Sequence, residues 1–88
     1  MLERQIEAAL VRQARMVGGA AYKWTSPGNS GVPDRIVFLP GGRVVLVELK
    51  APGKKPTPLQ LAVHEQLRAL GQRVEVVDSK EGVDAVLA

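Results

Sequence analysis

Val32-Pro33-Asp34-Arg35-Ile36-Val37-Phe38-Leu39-Pro40-Gly41-Gly42-Arg43-Val44-Val45-Leu46-Val47-Glu48-Leu49-Lys50 is the stretch that decides the fold. Two apolar, β-branched runs flank a Pro-Gly-Gly turn, the sequence form of a β-hairpin. If Leu39 pairs with Arg43 around the turn, paired residue numbers sum to 82 and Asp34 stands opposite Glu48. Directly opposed side chains lie about 5 Å apart, so two carboxylates share one spot, a destabilising arrangement unless a cation intervenes. Carboxylate oxygens suit Mg²⁺ or Mn²⁺, hard ions that keep several waters and bridge to phosphate oxygens. Side chains alternate along a strand, so Glu48 and Lys50 share one face while Leu49 turns to the opposite, buried face. Glu48 interrupts a run that otherwise reads as a buried strand, where a carboxylate has to be paired or metal-bound. The bland readings are a strand-entry aspartate at Asp34 and a plain salt bridge from Glu48 to Lys50.

Outward from the hairpin, the remaining elements follow from period and punctuation. Leu2, Ile6, Ala9, Leu10 and Val17 fall near helical spacing and Gly18-Gly19 supplies a stop, so residues 2–17 read as an amphipathic helix. Ala20 to Thr25 reads as a strand, and Ser26-Pro27-Gly28-Asn29-Ser30-Gly31 as a loop into hairpin strands at about 34–39 and 43–50. After the loop Ala51–Pro56, Thr57 caps a helix with Pro58 at its first position. Its apolar stripe is Leu59, Val63, Leu67 and Leu70, and it ends at Gly71. Arg73 to Val77 is a last strand, and Ser79 caps a closing helix carrying Val83, Val86 and Leu87. The order α-β-β-β-α-β-α is mixed α/β, with helices flanking a mixed sheet.

Composition bounds the function. At 88 residues there is room for a single domain, spanning residues 1–88, with a small core of modest stability that a second subunit would help. Aromatic residues are 3% of the chain, so the core is built from Val, Leu, Ile and Ala. The absence of Cys excludes disulfides, thiolate zinc sites and cysteine nucleophiles, and an intracellular, cytoplasmic location is the simplest expectation. No apolar run approaches the ~20 residues of a membrane span. Residues 1–72 carry ten Lys/Arg against five Asp/Glu, and residues 73–88 carry two against four. That bias suits a polyanion, although ordinary solubilising charge accounts for it as well. His64, the sole histidine, reads as a surface residue on the polar edge of the second helix, without partners for a His-based nuclease or a Ser/His hydrolase.

Pro33-Asp34, a spacer, then Glu48-Leu49-Lys50 resembles the signature of the PD-(D/E)XK nuclease superfamily. With Gly31-Val32-Pro33-Asp34, the Pro-Gly-Gly turn and Pro56-Thr57-Pro58-Leu59-Gln60 opening a helix, the chain resembles the virus-type replication-repair nuclease module, VRR-NUC, over nearly its whole length. The resemblance implies a restriction-endonuclease-like core and a Mg²⁺-dependent endonuclease in which Asp34, Glu48 and an N-terminal glutamate hold the ion. It also implies that the main-chain carbonyl of Leu49 touches the ion, that Lys50 assists the attacking water, and that Gln60 belongs to the active site. Stand-alone members of the family look like structure-selective junction resolvases, so branched DNA and a two-fold homodimer making paired cuts are the expected partner and assembly. Flap, nick or nonspecific cutting with the same site, and a non-catalytic nucleic-acid-binding module, are the alternatives.

Several residues carry competing readings. Glu3 and Glu7 are four apart on the first helix and could each supply the remaining carboxylate; family position favours Glu3, and the helix dipole alone explains an acid there too. Gln60 sits at the third position of a capping box with Thr57, which would occupy it structurally. Lys54, Lys55 and Lys23 are candidate phosphate contacts, with solvated loop charges as the rival for the first two. Trp24 is a candidate stacking plane, but reads more simply as a core residue.

Overall fold

The computed structural model describes all 88 residues. The hairpin organises it. Strand β2 (Arg35–Leu39) and strand β3 (Arg43–Leu49) pair antiparallel in the expected register, with Leu39 opposite Arg43 and Arg35 opposite Val47. The turn between them holds Gly41 and Gly42 at φ 83° and 76°, a left-handed conformation that glycine adopts without penalty. Strand β1 (Ala20–Lys23) pairs antiparallel with β2, and the N–H of Trp24 donates to the carbonyl of Asp34 at 2.9 Å, extending the ladder to the mouth of β2. Strand β4 (Val74–Val77) lies parallel to β3, which makes a mixed four-stranded sheet in the order β1-β2-β3-β4.

Helix α1 (Glu3–Met16) and helix α3 (Lys80–Leu87) cover one face of this sheet. Ile6, Ala9, Leu10 and Ala14 from α1 meet Val37, Leu39, Val45, Val47, Leu49 and Val77 from the strands and Val83, Val86 and Leu87 from α3 in one core cluster. Each of the Val, Leu and Ile side chains contributes about 1.5–3 kcal/mol by leaving water. Leu49, 2% exposed, points into this core as strand alternation requires. Ser79 caps α3, its hydroxyl accepting from the N–H of Gly82 at 2.9 Å.

Helix α2 (Pro58–Ala69) packs over β4 on the other face, and its apolar stripe does not make that contact. Leu59 and Leu70 are exposed, and Val63 and Leu67 are only half-buried; the one fully buried residue of the helix is His64. The apolar stripe faces the 26–32 loop and Trp24 instead of the sheet. Loop and helix lie so close that a Cβ on Gly31 would come within 3.0 Å of Val63 Cγ2. Trp24 therefore belongs to this satellite contact and not to the main core, where the sequence reading had put it. Because α2 sits to one side, the β1–β2 half of the face is uncovered, leaving Tyr22 62% exposed beside Phe38 in an edge-to-face pair with ring centroids 6.0 Å apart.

Candidate active site

The register brings Asp34 and Glu48 together between the start of α1 and the start of α2. Asp34 is clamped on both sides of its backbone and side chain. Its carbonyl accepts from Trp24, and its Oδ2 accepts from the N–H of Leu49 at 2.8 Å. The buried ring of Pro33 fixes the backbone just before it. Across the ladder, Glu48 is 1% exposed, on the face away from Leu49. The N–H of Lys50 donates to the carbonyl of Val77 at 3.0 Å, so β4 holds the end of β3 in place.

Burial pushes the Glu48 carboxyl up to about 8, with the hydrogen bond and charge of Asp34 adding to the rise and the Lys50 ammonium opposing it. The charge of Glu3 contributes in the same direction as Asp34, which places that side chain within electrostatic reach of the pair. Lys50 is half-buried on the same side as Glu48 but forms no ion pair with it, so the plain salt-bridge reading of Glu48 does not describe this site.

Gln60 serves both of its competing readings at once. Its Oε1 accepts from the N–H of Thr57 at 2.9 Å, while Thr57 Oγ1 accepts from the N–H of Gln60, closing the capping box. Its Nε2 donates to Glu48 Oε2 at 3.4 Å. One turn further along α2, the ring of His64 is 0% exposed with Nε2 3.2 Å from Glu48 Oε1. His64 is thus a buried partner of Glu48, contrary to the surface role expected of it. Desolvation, with help from the charges of Arg68 and Lys50, lowers the imidazole below its usual value. The ring is then neutral, its Nε2 shares a hydrogen bond with Glu48 Oε1, and Nδ1 is buried without a partner. The signal that would have found His64 lay in the spacing: residues four apart share a helix face, so a Gln60 aimed at Glu48 brings His64 with it.

Glu7 is occupied elsewhere. Its Oε2 accepts from Arg35 Nε at 2.9 Å, and Arg35 also donates to the carbonyl of Ala21. Glu3, by contrast, is exposed and makes no ion pair. The expected three-carboxylate cluster is incomplete, since no three acidic or imidazole side chains converge closely enough to hold an ion by themselves. The Asp34–Glu48 pair nonetheless fits a hard divalent cation, because both donors are oxygens and a cation between them would let Glu48 release the proton that burial beside Asp34 keeps on it. Lys23, Lys54 and Lys55 are all exposed.

Comparison with known proteins identifies the family. The VRR-NUC domain model matches residues 3–81. The chain is 56% identical over 79 residues to the "Putative nuclease p44" of Acyrthosiphon pisum secondary endosymbiont phage 1, covering 90% of this chain and 85% of that protein. A solved structure described as a VRR_NUC domain superimposes with a TM-score of 0.89 at 36% identity, over 96% of this chain and 91% of the other. With helix, Pro-Asp hairpin, Glu-Leu-Lys strand and Gln helix all in place, the chain belongs to the VRR-NUC family of nuclease domains.

Proposed function

We propose that this nuclease domain hydrolyses phosphodiester bonds in DNA with Mg²⁺ or Mn²⁺, using Asp34, Glu48 and Lys50. The observation that carries the reading is the buried Glu48 carboxylate set opposite Asp34 at the end of β3, with Lys50 following on the same face. Asp34 and Glu48 would hold the ion, joined by the main-chain carbonyl of Leu49 and by Glu3 swinging in from the start of α1. When bound, the ion supplies Lewis acidity toward a water and the scissile phosphate. Lys50 orients the attacking water and offsets the charge that develops on the phosphate oxygens. Gln60 and His64 fix the two oxygens of Glu48, so the ligand is pre-set by hydrogen bonds from α2.

The finer reading is a structure-selective endonuclease of branched DNA, such as a four-way junction, working as a homodimer. Paired symmetric cuts need two sites, and the chain builds one Asp34–Glu48 pair; the uncovered sheet face at Tyr22 and Phe38 is apolar surface of the kind a second copy buries. Lys23, Lys54 and Lys55 would contact phosphates, reading shape instead of base sequence. The test is a gel cleavage assay on a four-way junction, a flap and a plain duplex with Mg²⁺, Mn²⁺ or chelator, alongside Lys50→Ala and a light-scattering mass. Ion-dependent paired cuts on the junction, lost in Lys50→Ala, are expected. Equal cutting of all substrates would leave a general nuclease, and binding without any cutting would make the domain a non-catalytic module.

A further inference from the structure

Helix α1 turns a row of arginines outward. Arg4, Arg12 and Arg15, with Arg35 from β2, line an open groove of about 630 Å³ floored in part by Ala8. Its one acid, Glu7, is already paired with Arg35, whereas Arg4, Arg12 and Arg15 form no ion pair. The groove therefore holds four of the twelve Lys/Arg and one of the nine Asp/Glu, a balance of +3. The other eight basic residues cancel the other eight acidic ones, so the net charge of the chain, +3, resides in this groove. Arg12 and Arg15 are close neighbours on the helix, and like charges at such spacing cost a few tenths of a kcal/mol. A fold that keeps them unneutralised leaves a surface complementary to an anion.

We propose that this groove carries the phosphodiester backbone of one DNA strand away from the catalytic centre. Position supports it: Arg4 follows Glu3 at the start of α1, and the charge of Glu3 bears on Glu48, so the groove begins at the end of α1 that reaches the site where hydrolysis is placed. From Arg4 to Arg15 the helix rises about 16 Å at 1.5 Å per residue. That matches about five nucleotides of one strand at ~3.4 Å each. Guanidinium groups bind phosphate oxygens in bidentate fashion. The proposal rests on the DNA-nuclease reading and assigns the substrate path that the loop lysines alone do not define.

The experiment is fluorescence anisotropy of the full chain on a labelled four-way junction and a labelled duplex in chelator, titrated with KCl. Each phosphate contact contributes about 0.9 to the slope of log affinity against log salt, so Arg12→Gln/Arg15→Gln should lower that slope by about 2. Arg73→Gln/Lys80→Gln, which removes the same charge away from the groove, should leave it unchanged, and Arg12→Lys/Arg15→Lys should retain most of it. Circular dichroism confirms that each variant is folded. An unchanged slope in the Arg12/Arg15 variant, or an equal fall in the Arg73/Lys80 variant, overturns the groove as a strand path and leaves an acidic protein surface as its occupant. Absence of any DNA binding or ion-dependent cleavage by the unmodified chain would instead overturn the nuclease reading beneath it.

Discussion

Raising the pH on ion-free protein puts the Asp34–Glu48 pair under direct strain. In the folded chain the Glu48 carboxyl titrates at about 8, whereas its ordinary value, that of the unfolded chain, is 4.5. Between those values the unfolded state has released a proton that the folded state still holds, so stability falls as pH rises, by about 1.4 kcal/mol per unit for one proton. The contribution is fully present below 4.5, is lost across the window, and is flat above about 8. From pH 5 to pH 7 the loss is up to about 3 kcal/mol, which for a domain of this size lowers Tm by on the order of 10–20 °C. Differential scanning fluorimetry in chelator, on the unmodified chain and on Glu48→Gln, isolates the effect because other titrating groups are common to both. The amide cannot lose a proton, so the difference between the two curves carries the slope. Saturating Mn²⁺ or Mg²⁺ at pH 8 should restore the lost stability, by about 3 kcal/mol at a hundredfold excess over Kd. Because the lowered His64 imidazole gives a slope of the opposite sign in both proteins, the test is the difference between them: an equal slope in the unmodified chain and in Glu48→Gln would refute the assignment of buried strain to Glu48.

Three further outcomes are expected. Asp34→Asn should abolish cleavage while leaving the fold, by circular dichroism, and DNA binding largely intact; retained cleavage in a gel assay would remove Asp34 from the ion site. Leu49→Asp should unfold the protein, since the side chain it replaces is 2% exposed and a carboxylate there has no partner, and a soluble variant with native circular dichroism would mean that the strand faces are inverted. His64→Leu removes one of the two α2 partners of Glu48 and should weaken Mn²⁺ binding about 10- to 100-fold by calorimetry, while His64→Gln, which keeps a donor, recovers part of it; equal losses in both would reduce the residue to packing.

The hairpin was legible because its determinants are local. Turn length, two glycines able to take positive φ, and strict alternation set the register, and the register alone sets Asp34 opposite Glu48. The face of α2 was not legible, because the 3.6-residue pattern says that Leu59, Val63, Leu67 and Leu70 lie together without saying what they lie against. In the fold they meet a loop and Trp24, and the buried sheet contact passes to a histidine whose Nε2 is partnered by Glu48. A polar residue made necessary by another buried polar residue leaves no trace in hydrophobic periodicity.

The choice between Glu3 and Glu7 shows where such information resides. Strand alternation that turns Asp34 toward α2 turns Arg35 toward α1, together with Val37 and Leu39. Arg35 therefore arrives beside α1 as a cation on a strand, and Glu7, one turn into the helix, is the acid it pairs with. That pairing withdraws Glu7 from the ion site and leaves Glu3 as the α1 carboxylate whose charge bears on Glu48. It also neutralises the acid in a groove otherwise lined by arginines. The same ion pair thus stands between two surfaces of opposite charge: the Asp34–Glu48 pair, proposed to hold a cation, at one end of α1, and the arginine groove, proposed to carry phosphates, along the rest of it. Exchange of Arg35 for a neutral residue would be expected to blur both at once, freeing Glu7 to compete with Glu3 for the ion and to repel the strand, whereas loss of any other groove arginine would touch only the second.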